Sequence, residues 1–403
     1  MIPRQKYMEK ILPFVDTPFV KILTGIRRCG KSTILLMLME ELKSRGIDEN
    51  KIIYFSFDTM KYDDLKDAKI LYKTIYEKIS SGEKFYIFLD EIQEIACWER
   101  TVNSIMVDFK VDVYVTGSNS KMLSSEISTY LTGRYISINV YPLSFAEYLD
   151  FKKTYTNLEA VHREFVSYLK IGGFPAVNLR KYSANEAYTI VKDIYNSTIF
   201  KDIVQRSKIR KIELLERVVK FVFDNVGKTF SAKSVSDYLK NQKRTLDVET
   251  VYNYLSLLEK AFILHRCSRF DLQGKEILKT QEKFYLADQA FKYSVLGYSP
   301  KSISAMLENL VYLELKRRGY EVYIGKSLNQ EIDFIAMQKN EKIYIQVCRE
   351  IVSEKTEKRE YDNLLRINDN YPKYLLRTDE FSEGNYEGIK TIHVADFLLL
   401  DNF

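Results

Sequence analysis

Through the first 140 residues, short continuous apolar runs alternate with stretches whose apolar positions recur at spacings of three and four. Residues 20–24, 51–57, 84–89, 111–116 and 135–141 read as strands, and residues 32–43 and 70–80 as helices. Continuous apolar strands joined by helices predict a parallel sheet covered on both faces, an α/β fold. Residues 143–205 are mostly helical, interrupted by Gly172-Gly173-Phe174-Pro175. The pattern then changes to three helices (213–225, 232–240, 248–260) and two strands (262–266, 283–286) around a turn at Gly274. From about residue 302 it reads helix (302–318), strands (321–324, 331–336, 342–347), a polar helix (353–368) and a strand (373–377). Four segments follow: 1–142, 143–205, 206–299 and 300–403, the last boundary at Ser299-Pro300-Lys301.

Composition narrows the class. Apolar residues make up 46% of the 403 and charged residues 29%, which excludes a disordered or collagen-like chain. No stretch approaches the ~18 apolar residues of a membrane helix. Cys29, Cys97, Cys267 and Cys348 form no CxxC pair, and His162, His265 and His393 are not at ligand spacing. The expectation is a cytoplasmic protein with free thiols, no membrane contact and no histidine-built metal site. The net charge is +6 overall, but residues 206–283 hold 17 Lys and Arg against 10 Asp and Glu, a local surplus of seven. The rest of the chain is therefore close to neutral.

The chemistry is concentrated near the start. Gly25-Ile26-Arg27-Arg28-Cys29-Gly30-Lys31-Ser32 fits G-x-x-x-x-G-K-[ST], with a strand before it and a helix after it. Such a loop turns backbone N–H groups inward, and the helix N-terminus adds its dipole, so phosphate is the expected ligand. Lys31 is expected on the β- and γ-phosphates and Ser32 on Mg²⁺. The strand ending in Asp90-Glu91 supplies the second half: Asp90 for the ion, Glu91 as the base for an attacking water. Ser118 or Asn119, at the tip of the strand 111–116, can reach the γ-phosphate or the water. Arg134 is a candidate arginine finger, in cis or from a neighbouring copy, with Arg27 and Arg28 as rivals.

These residues resemble an AAA-type branch of bacterial and archaeal ATPases grouped with the signal-transduction ATPases with numerous domains. The resemblance rests on Thr24 through Thr33, Asp90-Glu91-Ile92-Gln93 with Trp98-Glu99, Thr116 through Ser120, Leu131 through Arg134, and Pro142-Leu143-Ser144-Phe145 with Glu147-Tyr148. It implies a P-loop NTPase sheet with a helical lid, ATP and Mg²⁺ as cofactors, and a conformational switch driven by ATP. It also implies that Pro175 packs near the nucleotide.

Residues 206–299 read as a winged helix. Val248, Val251, Leu255 and Leu258 should face its core, and Thr250, Asn253 and Tyr254 should point outward. With the local charge surplus, duplex DNA is the expected partner of residues 206–283. Residues 300–403 resemble a restriction-endonuclease-like α/β core. Asp333 is then the first acid, Gln346 a replacement oxygen ligand and Glu308 an extra carboxylate around Mg²⁺. Cys348 stands where a water-activating lysine belongs, with Lys342 and Lys326 as possible substitutes. This predicts a degenerate site, and a docking or dimerisation role for the domain. Three functions stay open: an ATPase coupled to DNA, an ATP-binding switch that recognises a protein partner with little turnover, and an ATP-gated nuclease. An arginine finger in trans would require a homo-oligomer.

Overall fold

The computed structural model describes residues 2–79, 82–123, 130–272, 274, 276–327, 330–339, 341–350, 354–379 and 384–403. The chain divides into two compact units, Met1–Pro142 with Lys260–Phe262, and Leu143–Glu259 with Ile263–Phe403.

The first unit is built on β1 (Val20–Thr24), β2 (Ile52–Ser56), β3 (Phe85–Asp90), β4 (Val111–Gly117) and β5 (Tyr135–Asn139). All pairs are parallel and the order is β2-β3-β4-β1-β5. Every residue of β1 and β3 is buried, which is why their sequences are mostly apolar, with Lys21, Thr24 and Asp90 as the polar exceptions. The helices Ala68–Lys78 and Trp98–Asp108 cover the sheet, Leu71, Ile75, Val102 and Ile105 entering its core. Asp67 caps the first of these, its Oδ1 accepting from the N–H groups of Lys69 (2.9 Å) and Ile70 (3.1 Å). A helix that the pattern does not predict, Gln5–Ile11, precedes β1. A buried ion pair, Lys21 with Asp112, lies inside the sheet layer, and Tyr114 Oη donates to the same carboxylate at 2.7 Å.

The second unit begins with the helices Phe145–Lys153, Val161–Ile171 and Ala184–Thr198. Ile212–Asp224, Ala232–Asn241 and Val248–Lys260 then follow as expected, within one or two residues. In the last of these, Val251, Leu255 and Leu258 are buried as predicted, but Tyr254 is buried too and Val248 is exposed. Tyr254 lies three residues after Val251 and Val248 opens the helix, so the apolar stripe is shifted by part of a turn.

The hairpin β6 (Leu264–Asp271) and β7 (Glu276–Leu286) is longer than the pattern suggests, and its strands join the C-terminal sheet. With β8 (Glu321–Ser327), β9 (Gln330–Gln338), β10 (Glu341–Val347), β11 (Lys373–Arg377), β12 (Gly384–Tyr386) and β13 (Ile389–His393), the order is β12-β13-β11-β10-β9-β8-β6-β7. β6 pairs in parallel with β8 over Arg269–Asp271 and Ile324–Lys326. Main-chain pairing therefore runs across the boundary at residues 299–301. The helices Ala290–Leu296, Ile303–Arg317, Glu354–Leu365 and Val394–Leu399 also belong to this unit. Among the described residues no helix is long and apolar enough to cross a membrane.

Candidate nucleotide site

The phosphate loop leaves the C-terminal end of β1 and closes on the helix Lys31–Ser44. Gly25 has φ +150°, and a Cβ there would meet the carbonyl oxygen of Val140 at 2.1 Å, so only glycine fits. Gly30 takes the left-handed conformation at the helix N-cap. Lys31 is buried, and its Nζ donates to the carbonyls of Gly25 (3.0 Å) and Ile26 (3.1 Å). Burial works against the charged form, but the carboxylates of Glu91 and Asp90 outweigh it and hold the Lys31 ammonium above its ordinary range. A charged, buried lysine inside a loop at a helix N-terminus is suited to a polyphosphate.

Arg4, which belongs to no motif, supports this loop. It is buried, and its guanidinium donates to Cys29 O (2.7 Å) and Tyr141 O (3.0 Å). Tyr7 Oη accepts from the N–H of Tyr141 at 2.9 Å, so the N-terminal helix braces both the loop and the end of β5.

β3 carries Asp90 and Glu91 to the same edge of the sheet. Glu91 adopts φ +54°, uncommon for a side chain of its size. Its carboxylate lies 3.6 Å from Lys31 Nζ and accepts from Gln93 Nε2 at 2.5 Å. Burial pushes Glu91 up, but the cations Lys31 and Arg27 win, leaving it ionised and below its usual range. Asp90 moves the other way: burial raises it, against the hydroxyls of Thr116 and Ser32. Thr116 Oγ1 donates to Asp90 Oδ1 (2.5 Å) and accepts from the N–H of Glu91 (2.8 Å). Ser118 and Asn119 follow β4 and are buried, Ser118 Oγ accepting from Gln93 Nε2 at 3.4 Å. β4 lies between β1 and β3, so the polar tip of β4 falls between the phosphate loop and the acidic pair. Ser32 and Asp90 offer oxygen ligands of the kind Mg²⁺ takes.

The arginines separate. Arg27 lies 4.0 Å from Asp58, and Arg28 is exposed with φ +64°. Arg134 does not reach this site within its own chain. It precedes β5, whose Tyr135 is in register with Val20 at the start of β1, and Arg134 O accepts from Val20 N at 2.8 Å. It therefore sits at the opposite end of the sheet from the phosphate loop, a strand length of on the order of 13 Å away. Pro175 belongs to the second unit, in the turn Pro175–Val177.

The nuclease-like residues meet in the second unit, but they do not fit a divalent ion. Asp333 Oδ2 accepts from Val347 N (2.8 Å). Gln346 spends both ends of its amide on the protein, accepting from Asp333 N (3.3 Å) and donating to Glu360 (2.9 Å). Glu308 Oε2 accepts from Tyr285 Oη at 3.4 Å. The cation among these carboxylates is Lys283 of β7, a residue missed in the sequence. Of the two proposed substitutes, Lys342 is engaged elsewhere, 4.9 Å from the ring centre of Tyr371, and Lys326 stands on β8 opposite Glu331.

His162 and His393, far apart in sequence, stack with ring centres 3.7 Å apart at 17°, and His162 Nε2 is 2.9 Å from Asp396. Face-to-face rings hold their in-plane lone pairs in parallel planes rather than aiming them at one ion, and His393 Nδ1 already accepts from Ala395 N.

The loop, the acidic strand and the strand inserted between them define an AAA-type P-loop nucleotide-binding domain. Residues 17–149 match the family model described as AAA domain, and residues 162–302 match a domain of unknown function. An uncharacterized protein of Haemophilus influenzae is 38% identical over 400 residues, covering 99% of both chains. An uncharacterized protein of Methanocaldococcus jannaschii is 30% identical over 82% of this chain and 75% of its own. The chain belongs to the family of these two proteins. In fold it is similar to a Walker-type ATPase of Pyrococcus abyssi, with a TM-score of 0.52, 14% identity, and coverage of 73% of this chain and 96% of that one.

Proposed function

We propose that this protein is a Mg²⁺-dependent ATPase whose turnover drives a conformational switch coupled to duplex DNA through residues 206–283. The observation that carries the hydrolytic part is Glu91: ionised, buried, oriented by Gln93 and Thr116, and adjacent to Lys31. A site that only bound nucleotide would gain nothing from an oriented carboxylate there.

In this reading the loop N–H groups and Lys31 bind the phosphates, and Lys31 exchanges its loop carbonyls for phosphate oxygens. Glu91 orients a water and takes its proton. Ser32 and Asp90 would hold Mg²⁺, which when bound offsets charge on the phosphates. Ser118 or Asn119 hydrogen-bonds the γ-phosphate or the water. Pro175 is assigned a place against the nucleotide. Hydrolysis needs a cation for the developing charge, and Arg134 can supply it only from a second copy, so the active form is assigned as a homo-oligomer. If no second copy supplies it, the alternative is an ATP-binding switch for a protein partner; the position of Arg134 is what favours that reading. The protein is assigned to the cytoplasm, where ATP is available and its four free cysteines stay reduced.

Support for the DNA coupling comes from the charge surplus and from the order three helices, then hairpin. Phe230, before the second of those helices, bridges to Glu282 of β7, as the short extra strand of a winged helix does.

Phosphate release tests the mechanism. Glu91→Gln should lower turnover by about 10²–10⁴-fold while ATP binding persists. Unchanged turnover in that variant would refute the role of Glu91.

A further inference from the structure

Lys283 comes from β7, yet its Nζ lies among carboxylates of other elements. It is 2.7 Å from Glu331 and 3.9 Å from Asp333, both on β9, and 3.5 Å from Glu308 on the helix Ile303–Arg317. Only 4% of the Lys283 side chain is exposed, so the ammonium is enclosed by these acids rather than swinging in solvent. Glu331 and Asp333 alternate along β9 and present their carboxylates on one face. The ladders are irregular near this point: the pairing of β6 with β7 shifts between Cys267 and Arg269, and that of β8 with β9 between Tyr323 and Gly325.

Three converging carboxylates would ordinarily be expected to hold a divalent cation through oxygen ligands. Here Gln346, with both ends of its amide engaged, adds no ligand, while Asp333 gives Oδ2 to Val347 N and turns Oδ1 towards Lys283, so the ammonium itself occupies the position an ion would take. We propose that Lys283 is a resident cation that takes the place of a divalent ion in this cluster, so that the C-terminal sheet is closed to metal-dependent hydrolytic chemistry by its own hairpin.

This inference is independent of ATP hydrolysis and is tested without nucleotide. Mn²⁺ is titrated into the full chain and the free ion is read by electron paramagnetic resonance, with folding followed by circular dichroism. Wild type and Asp333→Asn should take up Mn²⁺ identically, because no ion enters the cluster. Lys283→Met should bind one further Mn²⁺ per chain, at least tenfold tighter than any wild-type site, and Lys283→Met/Asp333→Asn should lose it. A folded Lys283→Met chain with no additional ion overturns the proposal. If that variant does not fold, the wild-type comparison decides: uptake that depends on Asp333 overturns the proposal, and its absence supports it.

Discussion

Thr116 does with one hydroxyl what usually takes two side chains. It donates to Asp90 and accepts from the backbone of Glu91, and is itself fully buried. Thr116→Val keeps the shape of the side chain and removes both bonds. A buried carboxylate and a buried N–H then lose a partner, at about 1–3 kcal/mol for each group. The expected outcome is a lower urea midpoint and phosphate release reduced about tenfold or more, with nucleotide affinity much less affected; Thr116→Ser should restore both. Equal hydrolysis in the valine and serine variants would show that the relay is incidental. Ser118 and Asn119 are the residues that the sequence pattern points to at this strand tip; Thr116 carries no such signal. That a threonine in a strand meets the end of the neighbouring strand depends on register, here Leu89 against Val115, which patterning does not supply. Lys283 is hidden for a related reason: its partners lie 25, 48 and 50 residues later in the chain, on other elements.

Among the elements, the strands of the first sheet and most of the long periodic helices are legible to within a few residues, because a covered parallel sheet imposes mostly apolar runs; the helix Trp98–Asp108 is not among the expected elements, and β7 starts well before the expected strand. The N-terminal helix Gln5–Ile11 was not legible either, since its buried face rests on Tyr7, Met8 and Ile11 over only seven residues. β12 and β13 were missed as well; β12 is an exposed three-residue strand with no apolar signal. The turn at residues 172–175 was visible as two glycines, but its cause was not. Gly172 has φ +81°, and a Cβ there would meet Asp288 Oδ1 at 2.1 Å. Asp288 accepts from Gly173 N (2.6 Å) and Ala290 N (2.8 Å), tying this turn to the end of β7. Burial pushes Asp288 up to about 7 against those two donors. A carboxyl raised in the folded state contributes stability that is complete below its unfolded pKa of about 3.9 and is lost as pH rises through about 7. The loss is on the order of 4 kcal/mol at most. Asp288→Asn imitates the neutral acid, so between pH 5 and pH 8 its urea midpoint should decline less than that of wild type. Parallel declines would mean that the carboxylate is accommodated by its N–H donors.

For the whole molecule, the net charge of +6 conceals an uneven distribution, with a surplus of seven on residues 206–283. Segment arithmetic made that legible, whereas the shared sheet of β6 through β13 was not, because no sequence pattern announces that a hairpin will pair with a strand fifty residues later. The distribution has a measurable consequence. Lys233, Lys240 and Lys243 are exposed, on or just after the second helix of that segment. If they contact phosphates, each releases condensed counterions, and the slope of log K against log salt should fall by about 0.9 for each one removed. Binding of the full chain to a short duplex, followed by fluorescence anisotropy from low to moderate salt, should therefore be steeply salt-dependent. Replacing all three lysines with glutamine should reduce the slope by about three while leaving basal ATP hydrolysis unchanged, since none of them belongs to the phosphate loop or the acidic strand. Affinity indifferent to salt and to the triple substitution would remove duplex DNA as the partner of this segment and favour the protein-directed switch.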